Sequence, residues 1–299
     1  MTSLLITGAR GQLGSDLVAA ASAAGLPVRA FGWAELDVTD ADAVEHALAA
    51  FAHDATTDDV HGTAVVINAA AYTAVDAAES DVVTAYAVNA AGPGNLATAA
   101  ARLGLGFIHV STDYVFPGDG IRPYEVDDPT GPTSVYGASK LAGEQAALAA
   151  YPEAHVVRTA WVWGTTGANF VKTMAALEAT RPTLSVVDDQ RGTPTYSADL
   201  AAGLLELAAH PGPGGVLHAT NGGETTWFGL ARAIFSELGA DPERVQPTTS
   251  DKFPRPAPRP AYSVLSQAAW VSAGLTPLRP WRAALAAAFA SAPEAFRPA

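Results

Sequence analysis

A short apolar run, Ser3-Leu4-Leu5-Ile6-Thr7, meets three glycines spaced by two residues, Gly8, Gly11 and Gly14, and then an alanine-rich helical stretch. A strand that must turn at once into a helix leaves few folds open. Gly8 permits the tight turn, Gly11 lets the backbone approach a pyrophosphate on the helix N-terminus, and Gly14 allows close packing of helix on strand. The spacing is GxxGxxG rather than GxGxxG, and glycine also serves plain βα turns. Its place between a strand and a helix favours nucleotide binding. Strand-like runs near residues 3–7, 27–31, 64–68, 106–110, 154–158, 183–187 and 214–218 alternate with helical stretches. That alternation predicts an α/β, Rossmann-type doubly wound parallel sheet.

A second pattern carries chemistry. Phe107-Ile108-His109-Val110 reads as a buried parallel strand, so Thr112, within Ser111-Thr112-Asp113-Tyr114-Val115-Phe116, emerges at its carboxyl end. Open α/β sheets bind ligands at that edge. Tyr136-Gly137-Ala138-Ser139-Lys140 opens a helix running to about Ala150, and the i, i+4 offset puts phenol and ammonium on one face. A lysine cation a few ångströms away favours the phenolate, which would make Tyr136 a usable general acid. The Thr112 hydroxyl can hydrogen-bond the carbonyl that receives the proton. The chemistry implied is hydride reduction of a ketone, or its reverse; an ordinary exposed helix pair would also show YxxxK.

Glycine turn, threonine, tyrosine and lysine in this order resemble the extended short-chain dehydrogenase/reductase superfamily. Further segments narrow the match: Asn68 to Asp76, Ala87-Val88-Asn89-Ala90, Ser111 to Phe116, Tyr136 to Glu144, Arg158 to Val162, Asn169-Phe170-Val171, Asp189 to Thr195 and Arg255 to Pro260. Together they are similar to the dTDP-4-dehydrorhamnose reductase family over nearly the whole chain. The resemblance implies reduction of the C4 ketone of dTDP-4-dehydro-L-rhamnose, a nucleotide sugar, with NADPH or NADH. It implies Tyr136 as proton donor, Lys140 on the nicotinamide ribose, and Thr112 orienting the ketone. Gly11, Gln12 and Leu13 would face the pyrophosphate, Asp37 and Val38 the adenine, and Ala69, Ala70 and Ala71 the cofactor ribose. Thr73, Val75, Asp113, Tyr114, Trp161 and Asn169 fall at positions expected near the substrate. Other nucleotide-sugar 4-ketoreductases share the catalytic set, and a regulatory subunit of methionine adenosyltransferase shares the fold, so both stay open as alternatives.

Departures are informative. Where relatives commonly carry lysine after the aspartate of Asp76, this chain has Ala77. The C-terminal stretch from Trp281 to Ala299 is alanine-rich with one acid, Glu294, so no structural magnesium and no dimer built on it are expected. A monomer or weak homodimer is the expectation. After the run 27–31 come Gly32-Trp33 rather than the acid that usually holds an NAD ribose. Arg10, inside the glycine turn, can pair with a 2′-phosphate, which favours NADPH, with a solvated loop charge as the alternative reading.

The net charge of −13 and pI of about 4.8 argue against a nucleic-acid or anionic-membrane partner. Phosphates of a nucleotide sugar sense local charge instead, for which Arg259 and Arg255 are the candidates, with a solvated Pro-rich loop as the alternative. No cysteine occurs, which excludes disulfides and thiolate sites, and the seven histidines show no HxH or HExxH spacing. No metal site is expected. His109 and His218 read as structural. No GxSxG or P-loop pattern occurs, no apolar run reaches about 18 residues, and no signal segment precedes the first strand, so a cytoplasmic protein is expected. Residues 53–63 are polar and read as a surface loop. The expected organisation is a Rossmann core of 1–158 and 196–220, interleaved with a smaller substrate-binding lobe of 159–195 and 221–299.

Overall fold

The structure, a computed structural model, describes residues 2–57 and 63–297. Its principal strands are β1 (Ser3–Thr7), β2 (Val28–Phe31), β3 (Ala64–Asn68), β4 (Gly106–Thr112) and β5 (His155–Thr159). The short strands β6 (Val162–Trp163), β7 (Leu184–Val187), β8 (Arg191–Gly192) and β9 (Thr195–Tyr196) follow. Next come β10 (Gly215–His218), β11 (Thr225–Thr226) and β12 (Val245–Thr248). Six strands form one sheet in the order β10-β5-β4-β3-β1-β2, every neighbouring pair parallel. The winding reverses between β1 and β3, and that crevice is where such sheets take their ligand.

Side chains explain why the sheet is covered on both faces. Along β1, Leu4 and Ile6 point one way and Leu5 the other, and all three are buried. On the first face Leu4 and Ile6 share a core with Leu17 of the helix Gln12–Ala23 and Leu200 and Leu204 of the helix Ser197–Ala209. On the second, Leu5 and Val66 meet Leu48 of Ala41–Thr57, Leu96 of Gly92–Leu103 and Ala147 of Val135–Ala150. A separate core collects Trp163, Met174, Val186, Ile234, Phe235 and Leu285. Trp270, Leu275 and Leu278, from the segment expected in the smaller lobe, bury instead with the main sheet.

Two local expectations are corrected. The run near 183–187 does form a strand, but β7 pairs with β12 outside the six-stranded sheet. Its exposure alternates, with Ser185 exposed and Val186 buried, so it suits a sheet with one covered face. Residues 53–57 continue a helix rather than a loop, because Val44, Leu48 and Phe51 extend its apolar face to that point and place His53 and Asp54 outward. Residues 58–62 of that expected loop lie outside the described residues. Among the described residues no helix is long and apolar enough to cross a membrane.

Candidate active site

The glycine turn seals the crevice between β1 and β3. Gly8 sits at φ +68°, and a Cβ there would stand 2.6 Å from the backbone of Ala69 and Ala70. A Cβ on Gly14 would lie 2.1 Å from the Gly8 carbonyl, so the helix can start this close to the strand only with glycine. Gly11 precedes the helix Gln12–Ala23 without a side-chain cap and with no acid in its first turn, which leaves the first N–H groups free to meet an anion. Leu13 is buried in the core, so only its backbone can face a pyrophosphate. Ala69, Ala70 and Ala71 line the end of β3, half-buried. Val38 is buried against Gly92, and Asp37 is exposed with Oδ1 accepting from Thr39.

At the tip of β2 the structure overturns one expectation. Glu35 and Leu36 both donate their backbone N–H to the Gly32 carbonyl at 3.1 Å, a tight turn that folds Glu35 back. Its carboxylate then accepts from Gly32 N–H at 2.5 Å and from Arg10 at 2.6 Å. A carboxylate therefore does stand at the end of β2, supplied four residues beyond it. The exposed Arg10–Glu35 pair offers one group suited to a ribose hydroxyl and one suited to a 2′-phosphate.

The catalytic candidates meet at the edge of β4. Ser134 caps the helix Val135–Ala150 by accepting from Gly137 N–H at 3.1 Å. Tyr136 then packs edge-on against Tyr114, ring centroids 5.4 Å apart, with Thr112 in hydrogen-bonding reach of its phenol. Thr112 Oγ1 donates to Asp113 at 3.0 Å and accepts from Tyr114 N–H at 3.2 Å. Lys140 is buried one turn along the helix, its Nζ donating to the Val110 carbonyl at 2.8 Å.

Burial governs the ionisations. It pushes the Tyr136 phenol up to about 12, which the Thr112 hydrogen bond opposes and the Asp113 charge reinforces. It draws Lys140 down to about 8 against the pull of Glu144. Asp113 is pushed up to about 6, again by burial, with hydrogen bonds from Ser263 and Thr112 opposing. The expected depression of the tyrosine by Lys140 is not seen: loss of water is the largest cause acting on both groups, and Asp113 rather than Lys140 is the charge felt by the phenol. Tyr136 is a protonated phenol over the working pH range, which is the state a proton donor needs.

The cleft continues into the smaller lobe. A cavity of about 290 Å³ is lined by Gln12, Thr73, Trp161, Asn169, Phe170 and Trp227. Trp161 is held at φ +47°, an uncommon backbone state for a side chain of its size, and stacks on Trp227 with centroids 3.6 Å apart. Asn169 caps the helix Phe170–Glu178 and donates to Gln12 at 3.0 Å, tying this lobe to the glycine turn. Val75 opens the short helix Val75–Ala78. Arg259 pairs with Asp76 at 2.8 Å and lies close enough to Tyr114 for its charge to act there, whereas Arg255 is exposed. Sequence reasoning missed Trp227, Glu35 and Asn89. Asn89 bonds the Tyr72 backbone and Ser139 from a π-helical turn, and so braces the catalytic helix. Its available signal was the segment Ala87-Val88-Asn89-Ala90, one of those that carry the family resemblance.

The profile of the RmlD substrate binding domain family matches residues 1–293. The chain belongs to the dTDP-4-dehydrorhamnose reductase family. It is 56% identical to dTDP-4-dehydrorhamnose reductase of Mycobacterium tuberculosis, over 96% of this chain and 92% of that one. To the protein of that name from Streptomyces griseus it is 51% identical, over 95% and 92%. The crystal structure of dTDP-4-dehydrorhamnose reductase from Bacillus anthracis in complex with NADP superposes with a TM-score of 0.90, at 35% identity, covering 97% of this chain and all of that one.

Proposed function

We propose that this chain reduces the C4 ketone of dTDP-4-dehydro-L-rhamnose to give dTDP-L-rhamnose, using NADPH or NADH. The observation that carries the reading is a protonated Tyr136 placed against Thr112 at the carboxyl end of β4, in the same parallel sheet whose first strand carries the glycine turn. Membership of the family supports the substrate class and the cofactor.

The close approach that Gly8 and Gly14 allow, the uncapped helix start and the Arg10–Glu35 pair fit a dinucleotide. Bound there, the cofactor supplies the hydride that adds to the sugar C4. The chain's own residues do the rest. Gln12 and Leu13 offer backbone N–H groups to the pyrophosphate, and Gly11, whose own N–H closes the turn on the Gly8 carbonyl, lets the backbone approach it. Asp37 and Val38 border the adenine, and Lys140 reaches the nicotinamide ribose. Thr112 turns its one hydroxyl proton from Asp113 to the ketone oxygen, and Tyr136 gives that oxygen its proton as negative charge develops. Each such hydrogen bond contributes about 10²–10³-fold when it strengthens in the transition state. Trp161 covers the apolar sugar face, Thr73, Val75, Asp113, Tyr114 and Asn169 border the sugar, and Arg259 offers charge to the phosphates.

Loss of nicotinamide absorbance, with NADPH and enzymatically prepared dTDP-4-dehydro-L-rhamnose, tests the proposal beside Tyr136→Phe and a GDP-4-ketosugar control. Turnover on the dTDP sugar, absent in the variant, is the expected result. Turnover on the GDP sugar alone, or none at all with NADPH bound, would overturn the substrate assignment.

A further inference from the structure

Thr7, Asn68 and His109 stand in register across β1, β3 and β4, all fully buried. Their side chains form a row that ends on the lysine of the site. Thr7 Oγ1 donates to Asn68 Oδ1 at 2.7 Å, Asn68 Nδ2 meets His109 Nδ1 at 3.0 Å, and His109 Nε2 stands 3.4 Å from Lys140 Nζ.

One backbone group fixes every proton in the row. Ala70 N–H reaches Asn68 at 3.0 Å, and because a backbone N–H can only donate, the amide atom facing it is the oxygen. The amide nitrogen therefore faces His109 and donates to Nδ1, which must hold a lone pair. A neutral imidazole has a single N–H, here left on Nε2, the nitrogen that faces Lys140. His109 is neutral, since its complete burial holds it well below its ordinary range whatever the state of the lysine. An ammonium is donor-only, so a protonated Lys140 sets donor against donor at this contact. The free amine instead accepts the Nε2–H while still donating to the Val110 carbonyl.

We infer that Asn68 and His109 are positioning residues that make Lys140 a proton-exchanging amine rather than a fixed cation. That amine is faced by His109 from β4 and by the charge of Glu144 from its own helix, and Glu144 is itself paired with Arg158 of β5 at 2.7 Å. Burial acts in the same direction as the row, and Glu144 opposes it. On the proposed reading of Lys140 as a ribose ligand, its charge is present below about pH 8 and is lost above it, so KM for the cofactor should rise through that window.

The test is made on the free protein, so it stands or falls apart from the reductase assay. In ¹⁵N-histidine-labelled protein, with His109 assigned by its loss in His109→Gln, the expected spectrum shows a protonated Nε2 and a bare Nδ1. The ¹³C-labelled Lys140 side chain should titrate at about 8. In His109→Gln the new amide can turn its oxygen to the lysine without adding charge, and Lys140 should titrate higher by about one pH unit. A native spectrum with the proton on Nδ1, or an unchanged Lys140 titration in a folded His109→Gln, overturns the inference. If that variant does not fold, His109 is assigned by selective labelling and the native tautomer decides.

Discussion

The two ends of the cleft are built on opposite terms. At the edge of β4, Thr112, Asp113 and Lys140 are buried, and loss of water is the largest cause of the shifted ionisation of Asp113, Tyr136 and Lys140. At the tip of β2 the Arg10 and Glu35 side chains are 77% and 42% exposed, and each shifts because of the other. Dry surroundings turn one end into a proton-handling device. Wet surroundings leave the other as a pair of charges that water screens and a ligand can rearrange. Substitutions should therefore have large effects at β4 and modest ones at β2.

The strongest way to break that contrast is Tyr136→Phe. It should lower kcat by about 10²–10⁴-fold with an unchanged melting curve, and a loss under tenfold in steady-state assays would remove Tyr136 as the acid. Gly8→Ala should cost on the order of 2–3 kcal/mol in urea unfolding, since it adds a Cβ against Ala69 to an already left-handed backbone.

Asp113 sharpens the comparison through pH. Its carboxyl rises from the ordinary 3.8 to about 6, so the folded protein holds an extra proton between those values, and stability falls as pH rises through that window. Asp113→Asn should thus be more stable than the native chain by on the order of 2 kcal/mol at pH 7.5, with no advantage near pH 3.5. Parallel unfolding curves at the two pH values would refute this. In the lobe beyond, Trp227→Ala removes the stack under Trp161 and should raise substrate KM by about tenfold, with kcat little changed. The smallest effect belongs to the wet end. Glu35→Gln should move cofactor preference toward NADPH and Arg10→Ala toward NADH, each by about three- to tenfold in kcat/KM; equal shifts in the same direction would show that the pair does not select.

Much of this was legible in the chain. The strand-glycine-helix start, the strands at 64–68 and 106–110, and the helix from Tyr136 each depend on residues within a few positions of one another, and the structure keeps them. The carboxylate at β2 was not legible by the same means. Gly32 and Trp33, the residues next after β2, carry no acid, whereas a turn closed by two bonds to the Gly32 carbonyl returns Glu35 to the strand tip. The sign of the tyrosine shift was missed for a related reason: an i, i+4 offset gives direction on a helix but says nothing of how dry the facing strand is.

What the sequence determined by itself was local: short continuous apolar strands, a glycine turn that only one kind of junction needs, and a phenol and an amine on one helix face. What the tertiary structure decided was which of these patterns became neighbours. The stacking of Trp161 on Trp227, the tie from Asn169 to Gln12, and the row Thr7, Asn68, His109 join residues 41 to 157 positions apart. No local propensity encodes such pairs. They follow from strand order and register, which set the partners of each polar group once water is excluded and every donor and acceptor must be met.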